Sequence, residues 1–163
     1  MTVERLEKRG YELDRSDALA VMKFFVEYGM FEKSANLEAH WYDKKKFASK
    51  AKYVMMNPSL SLYELIRMRP EEAKKSFTYA DYFACSCANG WDKLPGEFRH
   101  ASSANLCEIM SRGFFRRWTL EFFLELTHLR LPILCCEKIV NQLTNKDLLC
   151  ICLAVANQLS SDE

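Results

Sequence analysis

A chain of 163 residues, 49% of them apolar, can bury a core of its own without staples and is too apolar to be disordered. With 23 basic against 22 acidic side chains, the net charge of +1 gives neither nucleic acid nor an anionic membrane a reason to bind the molecule as a whole. No apolar run reaches the ~18 residues of a membrane span, the charged opening MTVERLEKRGYELDRSD has no apolar signal-peptide stretch, and an odd count of seven cysteines suits reduced thiols, so the cytosol or nucleus is the expected setting.

Five glycines and four prolines are too few for a strand-and-turn protein, so the expected fold is all-α, a compact helical bundle. Asp14 or Ser16 can cap a first helix carrying Leu19, Met22, Phe25 and Val26 at helical spacing, with Gly29 as its stop. Ser34 or Asn36 can start a short aromatic segment with Leu37, Trp41 and Tyr42. Lys44 to Met56 reads as a helix with a cationic face and a stripe of Phe47, Ala51 and Val54, ended by Asn57-Pro58. Ser61-Leu62-Tyr63-Glu64 has capping-box spacing and opens a helix from Leu62 to Met68. Pro70 suits the first turn of the next helix, with Glu71 and Glu72 at the positive end of its dipole.

Thr78 to Cys87 reads as a further helix ending near Asn89-Gly90. Asn105 to Met110 and Phe114 to Leu129 read as two more, broken near Gly113. A final pair spans Pro132 to Leu143 and Asn145 to Ala156, with Thr144 capping the second and Asp147 three residues on. No internal repeat interrupts this pattern.

Chemistry-bearing patterns are few. Cys85-Ser86-Cys87 has a single residue between thiols, and no C-x2-C or H-x3-H spacing occurs, so no zinc site is assigned. Cys150 and Cys152 point roughly 200° apart on a helix and cannot share a metal. His40, His100 and His128 each stand alone, and no G-x-S-x-G or G-x-G-x-x-G surrounds a nucleophile or phosphate cradle. No catalytic residue, metal ligand or cofactor site is therefore read from the chain. Two basic clusters remain: Lys44-Lys45-Lys46 with Lys50 and Lys52, and Arg112, Arg116 and Arg117 beside Phe114, Phe115 and Trp118. Arginine among aromatics can stack on bases, but one wet helix face over a core face accounts for the same pattern. The lysine cluster could also serve nuclear import.

The last segment carries more information. Leu131-Pro132 opens a helix with Pro expected at its first position, Ile139 and Leu143 follow on that helix, and Thr144-Asn145-Lys146 turns into Asp147-Leu148-Leu149. This hairpin has more apolar surface than two short helices can hide from each other, so it packs on the preceding bundle or on a partner.

The pattern resembles the F-box, matched without gaps at Leu131, Pro132, Ile139, Leu143, Asp147, Leu148 and Leu149. Leu134 stands where that family has an acid, Gln158 where a Trp is common, and the third F-box helix is missing or degenerate. A truncated F-box of this kind resembles the C-terminal PRANC domain of ankyrin-repeat proteins from poxviruses and from parasitoid wasps and their endosymbionts. The resemblance to the wasp type extends upstream through Met22-Lys23-Phe24-Phe25, Asn57-Pro58-Ser59-Leu60-Ser61-Leu62-Tyr63-Glu64-Leu65, Arg69-Pro70-Glu71-Glu72-Ala73, Phe114-Phe115-Arg116-Arg117-Trp118 and Arg130-Leu131-Pro132-Ile133-Leu134-Cys135-Cys136-Glu137. It implies a helical body over 1–130 and an F-box-like element over 131–158. It implies a non-catalytic substrate-receptor subunit whose seven matched residues dock the Skp adaptor of a cullin–RING ubiquitin ligase, for a client not named by the sequence. Ankyrin repeats usually recruit that client, and no T-P-L-H-x-A segment occurs here. The competing reading is a stand-alone helical decoy or inhibitor of a host signalling protein, with the hairpin serving as core.

Overall fold

In the computed structural model, residues 7, 9–31, 41–87 and 91–159 are described. Their secondary structure is α-helical apart from two short 3₁₀ turns and one two-stranded ribbon. The chain divides into two compact units, cut between Gly29 and Met30 and between Met110 and Ser111. The first unit holds the N- and C-terminal segments, and the second is the uninterrupted middle of the chain.

The first unit begins with α1, Arg15–Glu27. Asp14 is its N-cap: its carboxylate accepts from the Asp17 amide while the Asp17 carboxylate accepts from the Asp14 amide, satisfying two orphan donors at once. Helix α1 buries Ala18 and Met22. The unit also contains residues 111–126 of the long helix α6, Gly96–Leu126, followed by α7, Ile133–Val140, and α8, Asn145–Leu159. Phe115, Trp118, Phe122, Cys136, Val140, Leu148, Leu149, Cys152 and Val155 are buried here. Helices α1 and α8 pack together, Phe25 meets Phe115 edge to face at 5.7 Å, and Arg15 pairs with Glu125 at 2.6 Å.

The second unit starts at a 3₁₀ turn, Trp41–Asp43, whose expected start at Ser34 or Asn36 lies outside the described residues. Trp41, Phe47 and Phe98 form an aromatic trio with centroids 4.7–6.1 Å apart. Helix α2 is only Lys45–Ala51, not Lys44 to Met56. After a turn at Lys52 and Tyr53, β1 (Met55–Asn57) pairs antiparallel with β2 (Leu60–Ser61). The expected helical stripe of Phe47, Ala51 and Val54 is buried, but Val54 reaches the core from the turn. The expected all-α class holds, with this two-stranded ribbon as the only sheet among the described residues. Asn57-Pro58 does not end the helix, which already stops at Ala51: the Asn57 side chain accepts from the Ser59 amide at 3.0 Å and shapes a tight hairpin, to which Pro58 contributes a preset φ.

Helix α3, Leu62–Arg67, opens with the Ser61/Glu64 capping box, and α4, Pro70–Ser76, has Pro70 in its first turn. Helix α5, Tyr79–Cys87, packs on β1, where the Cys85 thiol lies 3.5 Å from the Met56 sulfur. Its expected end at Asn89-Gly90 lies outside the described residues. Residues 96–110 of α6 complete this unit's core with Phe98, Leu106 and Ile109.

The expected break near Gly113 is absent, and α6 runs through it. A helical Gly costs about 1 kcal/mol relative to Ala, which the burial of Phe115, Trp118 and Phe122 in the following turns outweighs. No helix among the described residues is long and apolar enough to cross a membrane.

Candidate protein-docking surface

Helix α6 ends in two residues with left-handed backbones, His128 (φ 50°) and Leu129 (φ 57°). The His128 amide donates to the Glu125 carbonyl at 2.8 Å and the Leu129 amide to the Leu124 carbonyl at 2.9 Å. This is a Schellman-type stop made without glycine, at a cost of roughly 1 kcal/mol or more for each residue held there. It turns the chain toward Leu131-Pro132. Pro132 is the N-cap of α7, one position before the first helical residue where it was expected. Its carbonyl accepts from the Cys135 amide at 2.8 Å.

At about 100° per residue, Cys136 and Val140 share one face of α7. Both are wholly buried. The opposite face carries Leu134, Cys135, Lys138 and Ile139, all exposed. Several aliphatic side chains of this segment are left in water: Leu131 is 38% exposed, Ile133 53%, Leu134 67% and Ile139 41%. Leu129 is also exposed, at the preceding corner. Isolated exposed aliphatics are ordinary, but five within eleven residues are a concentration that suits an interaction site.

The seven sequence-matched residues are not all exposed. Leu131, Pro132 and Ile139 are exposed, and Leu143 is half-buried. Leu148 and Leu149 are buried in the first unit's core. Asp147 is exposed but engaged, accepting from the Thr144 amide at 2.9 Å and the Thr144 hydroxyl at 2.6 Å. Those bonds, the hydroxyl's first, hold its carboxyl below the usual range. Asp147-Leu148-Leu149 thus caps and anchors α8 while Leu131-Pro132 and Ile139 face out. The pattern did not single out Ile133 or Leu134. Leu134 carried a signal, since it falls off the Cys136/Val140 face, whereas Ile133, three and seven residues before those two, shares their face by period and is nonetheless exposed at the helix start.

The hairpin is fixed from behind by α6. Arg112 is buried and donates to the carbonyls of Val140 (2.9 Å) and Leu143 and to Asn145 Oδ1 (3.2 Å). Asn145 Nδ2 donates to the Ser111 hydroxyl at 2.9 Å. Two turns further along α6, the Thr119 hydroxyl meets the Leu148 carbonyl and the Cys152 sulfur, each at 3.3 Å. Arg116 pairs with Glu137 at 3.6 Å, and Arg117 pairs with Glu7 and lies over the Phe114 and Trp118 rings. All three arginines of the aromatic cluster are therefore engaged within this unit.

Burial pushes the thiols of Cys85 and Cys107 up, and that of Cys152 up to about 11, so these three stay protonated at neutral pH. Among the described residues, no three His, Cys, Asp or Glu side chains gather as a metal site would require. Comparison of the chain with protein-family models, curated proteins and solved structures returns no match.

Proposed function

We propose that this protein is a non-catalytic, F-box-like substrate-receptor subunit that docks the Skp adaptor of a cullin–RING ubiquitin ligase. The observation that carries the reading is the run of exposed aliphatic side chains, Leu131, Ile133, Leu134 and Ile139, on a hairpin pinned from behind by Arg112. Four aliphatic side chains left in water beside a buried, hydrogen-bonded clamp suit a surface prepared for a partner. The resemblance to the PRANC domain supplies the partner's identity. In this reading Leu131, Pro132 and Ile139 make the contact with Ile133 and Leu134, Leu143 lies at its margin, and Asp147, Leu148 and Leu149 hold the second helix in place.

The burial of Leu148, Leu149, Cys136 and Val140 favours the other reading in part, because half of the hairpin is core. A stand-alone decoy or inhibitor would use that core and need no adaptor.

Calorimetric titration with purified Skp adaptor separates the two. The adaptor reading expects micromolar or tighter binding by the wild type. Replacing Leu131 and Pro132 by Ala should then cost roughly 2–4 kcal/mol, about 30- to 1000-fold in Kd, with the helical circular-dichroism signal unchanged. No binding at micromolar concentrations, or outright unfolding of the double variant, would sink it.

A further inference from the structure

The second unit carries a surface that the adaptor reading does not use. Residues 44–52 contain five lysines and no acid. Phe47 and Ala51 turn one face of α2 into the core, so the cations are spread over its outer half. At about 100° per residue Lys46 and Lys50 lie along one edge, Lys45 and Lys52 along the other, and Ser49 between them. Lys46 has a long, exposed ion pair with Glu97 at 3.5 Å.

This face has an ordered base. The Tyr63 ring has the Lys52 ammonium 5.2 Å from its centroid and the Arg67 guanidinium 5.3 Å from it. Arg67 also lies over Tyr42 and pairs with Asp43. Directly after α2 come two large side chains in water, Tyr53 at 79% exposure and Met55 at 49%.

We propose that this face binds an extended acidic polypeptide segment, its carboxylates on Lys45, Lys50 and Lys52 and an apolar side chain against Tyr53 and Met55. Charge complementarity selects the acid, and the exposed Tyr–Met pair selects a chain with aliphatic side chains between its carboxylates. Nucleic acid fits less well. The arginine whose fork would grip phosphate is engaged by Asp43, and the Tyr42 and Tyr63 rings already carry cations. A membrane surface would need a broader apolar face than Tyr53 and Met55 supply. The inference is independent of adaptor docking, which belongs to the other unit.

The test is fluorescence anisotropy of a labelled peptide alternating Glu and Leu, titrated with the full-length chain. Oligouridine RNA and phosphatidylserine vesicles serve as competing probes. Saturable, salt-sensitive peptide binding is expected, weakened at least roughly tenfold by Lys45→Glu with Lys50→Glu. Tyr53→Ser with Met55→Ser should weaken it several-fold with less change in salt dependence. Lys138→Glu with Lys146→Glu, in the other unit, should leave it unchanged. Circular dichroism confirms that each exposed-site variant folds. Absence of peptide binding, indifference to the lysine reversals, or tighter binding of RNA or vesicles than of peptide would each overturn the proposal.

Discussion

The guanidinium of Arg112, buried on α6, donates at 2.9 Å to the carbonyl of Val140, the last residue of α7. The same group reaches Asn145 Oδ1, at the start of α8, so one side chain holds both sides of the hairpin turn. A cation at the C-terminal end of a helix also meets the negative end of its dipole. Arg112→Leu would leave the Val140 and Leu143 carbonyls without this donor. The expected loss is about 2–4 kcal/mol, read from urea denaturation, with faster amide exchange across residues 140–145. Arg112→Lys should restore only part of it, because one ammonium cannot reproduce the planar fork.

Leu148 and Leu134 should separate folding from docking. Leu148→Ala removes a wholly buried side chain and should cost about 2–5 kcal/mol. Leu134→Ala changes an exposed side chain and should alter stability by no more than about 0.5 kcal/mol. If adaptor binding uses these exposed side chains, titration should instead show the larger affinity loss for Leu134→Asp, a variant that melts like the wild type.

Glycine at the α6 stop should stabilise the fold. His128 occupies a left-handed backbone at φ 50°. His128→Gly removes the penalty of a Cβ there, offset in part by the greater freedom of the unfolded chain, for a net gain of up to about 1 kcal/mol. A thermal melt with a higher Tm bears this out, and a lower Tm contradicts it.

Acid should weaken the caps in a defined direction. Glu64 is held below the usual carboxylate range by the Ser61 amide and then its hydroxyl. Asp81 and Asp147 are held down by the hydroxyls and then the amides of Thr78 and Thr144. A carboxyl lowered by folding contributes stability that is present above its unfolded value and lost as pH falls through the folded one. Tm should therefore be level near neutrality and fall below roughly pH 4. Thr144→Ala should lower stability by about 1 kcal/mol at pH 7 and make the acid limb shallower.

Local chemistry in the chain made these caps legible. Ser61-x-x-Glu64 reads as a capping box and is one, Thr144 caps α8 as its spacing implies, and Pro70 takes the first turn. The helical class was legible for the same reason: scarce glycine and proline leave few alternatives to helix. The errors lie where distant contacts override local signals. Gly113 reads as a break, yet Phe115, Trp118 and Phe122 in the turns that follow are buried and keep α6 continuous. Lys44 to Met56 has one apolar stripe, but Met56 is drawn into β1 against Cys85, twenty-nine residues away. At the candidate site, Asp147-Leu148-Leu149 resembles a docking motif because folding and docking both favour leucine. Only the position of α6 separates the leucines that face inward from those that face out.

The division of the chain has a consequence for synthesis on the ribosome. The middle unit is one unbroken stretch and holds its own hydrophobic cluster from Phe47 to Ile109. The outer unit is discontinuous: α1 packs on α8, and Phe25 meets Phe115 across ninety residues. Helix α1 therefore leaves the exit tunnel before the middle unit and lacks this packing partner until α8 has been made. A translating chain passes through a stage with a finished centre and unmatched ends, during which the early helix is open to chaperones or to the wrong partner.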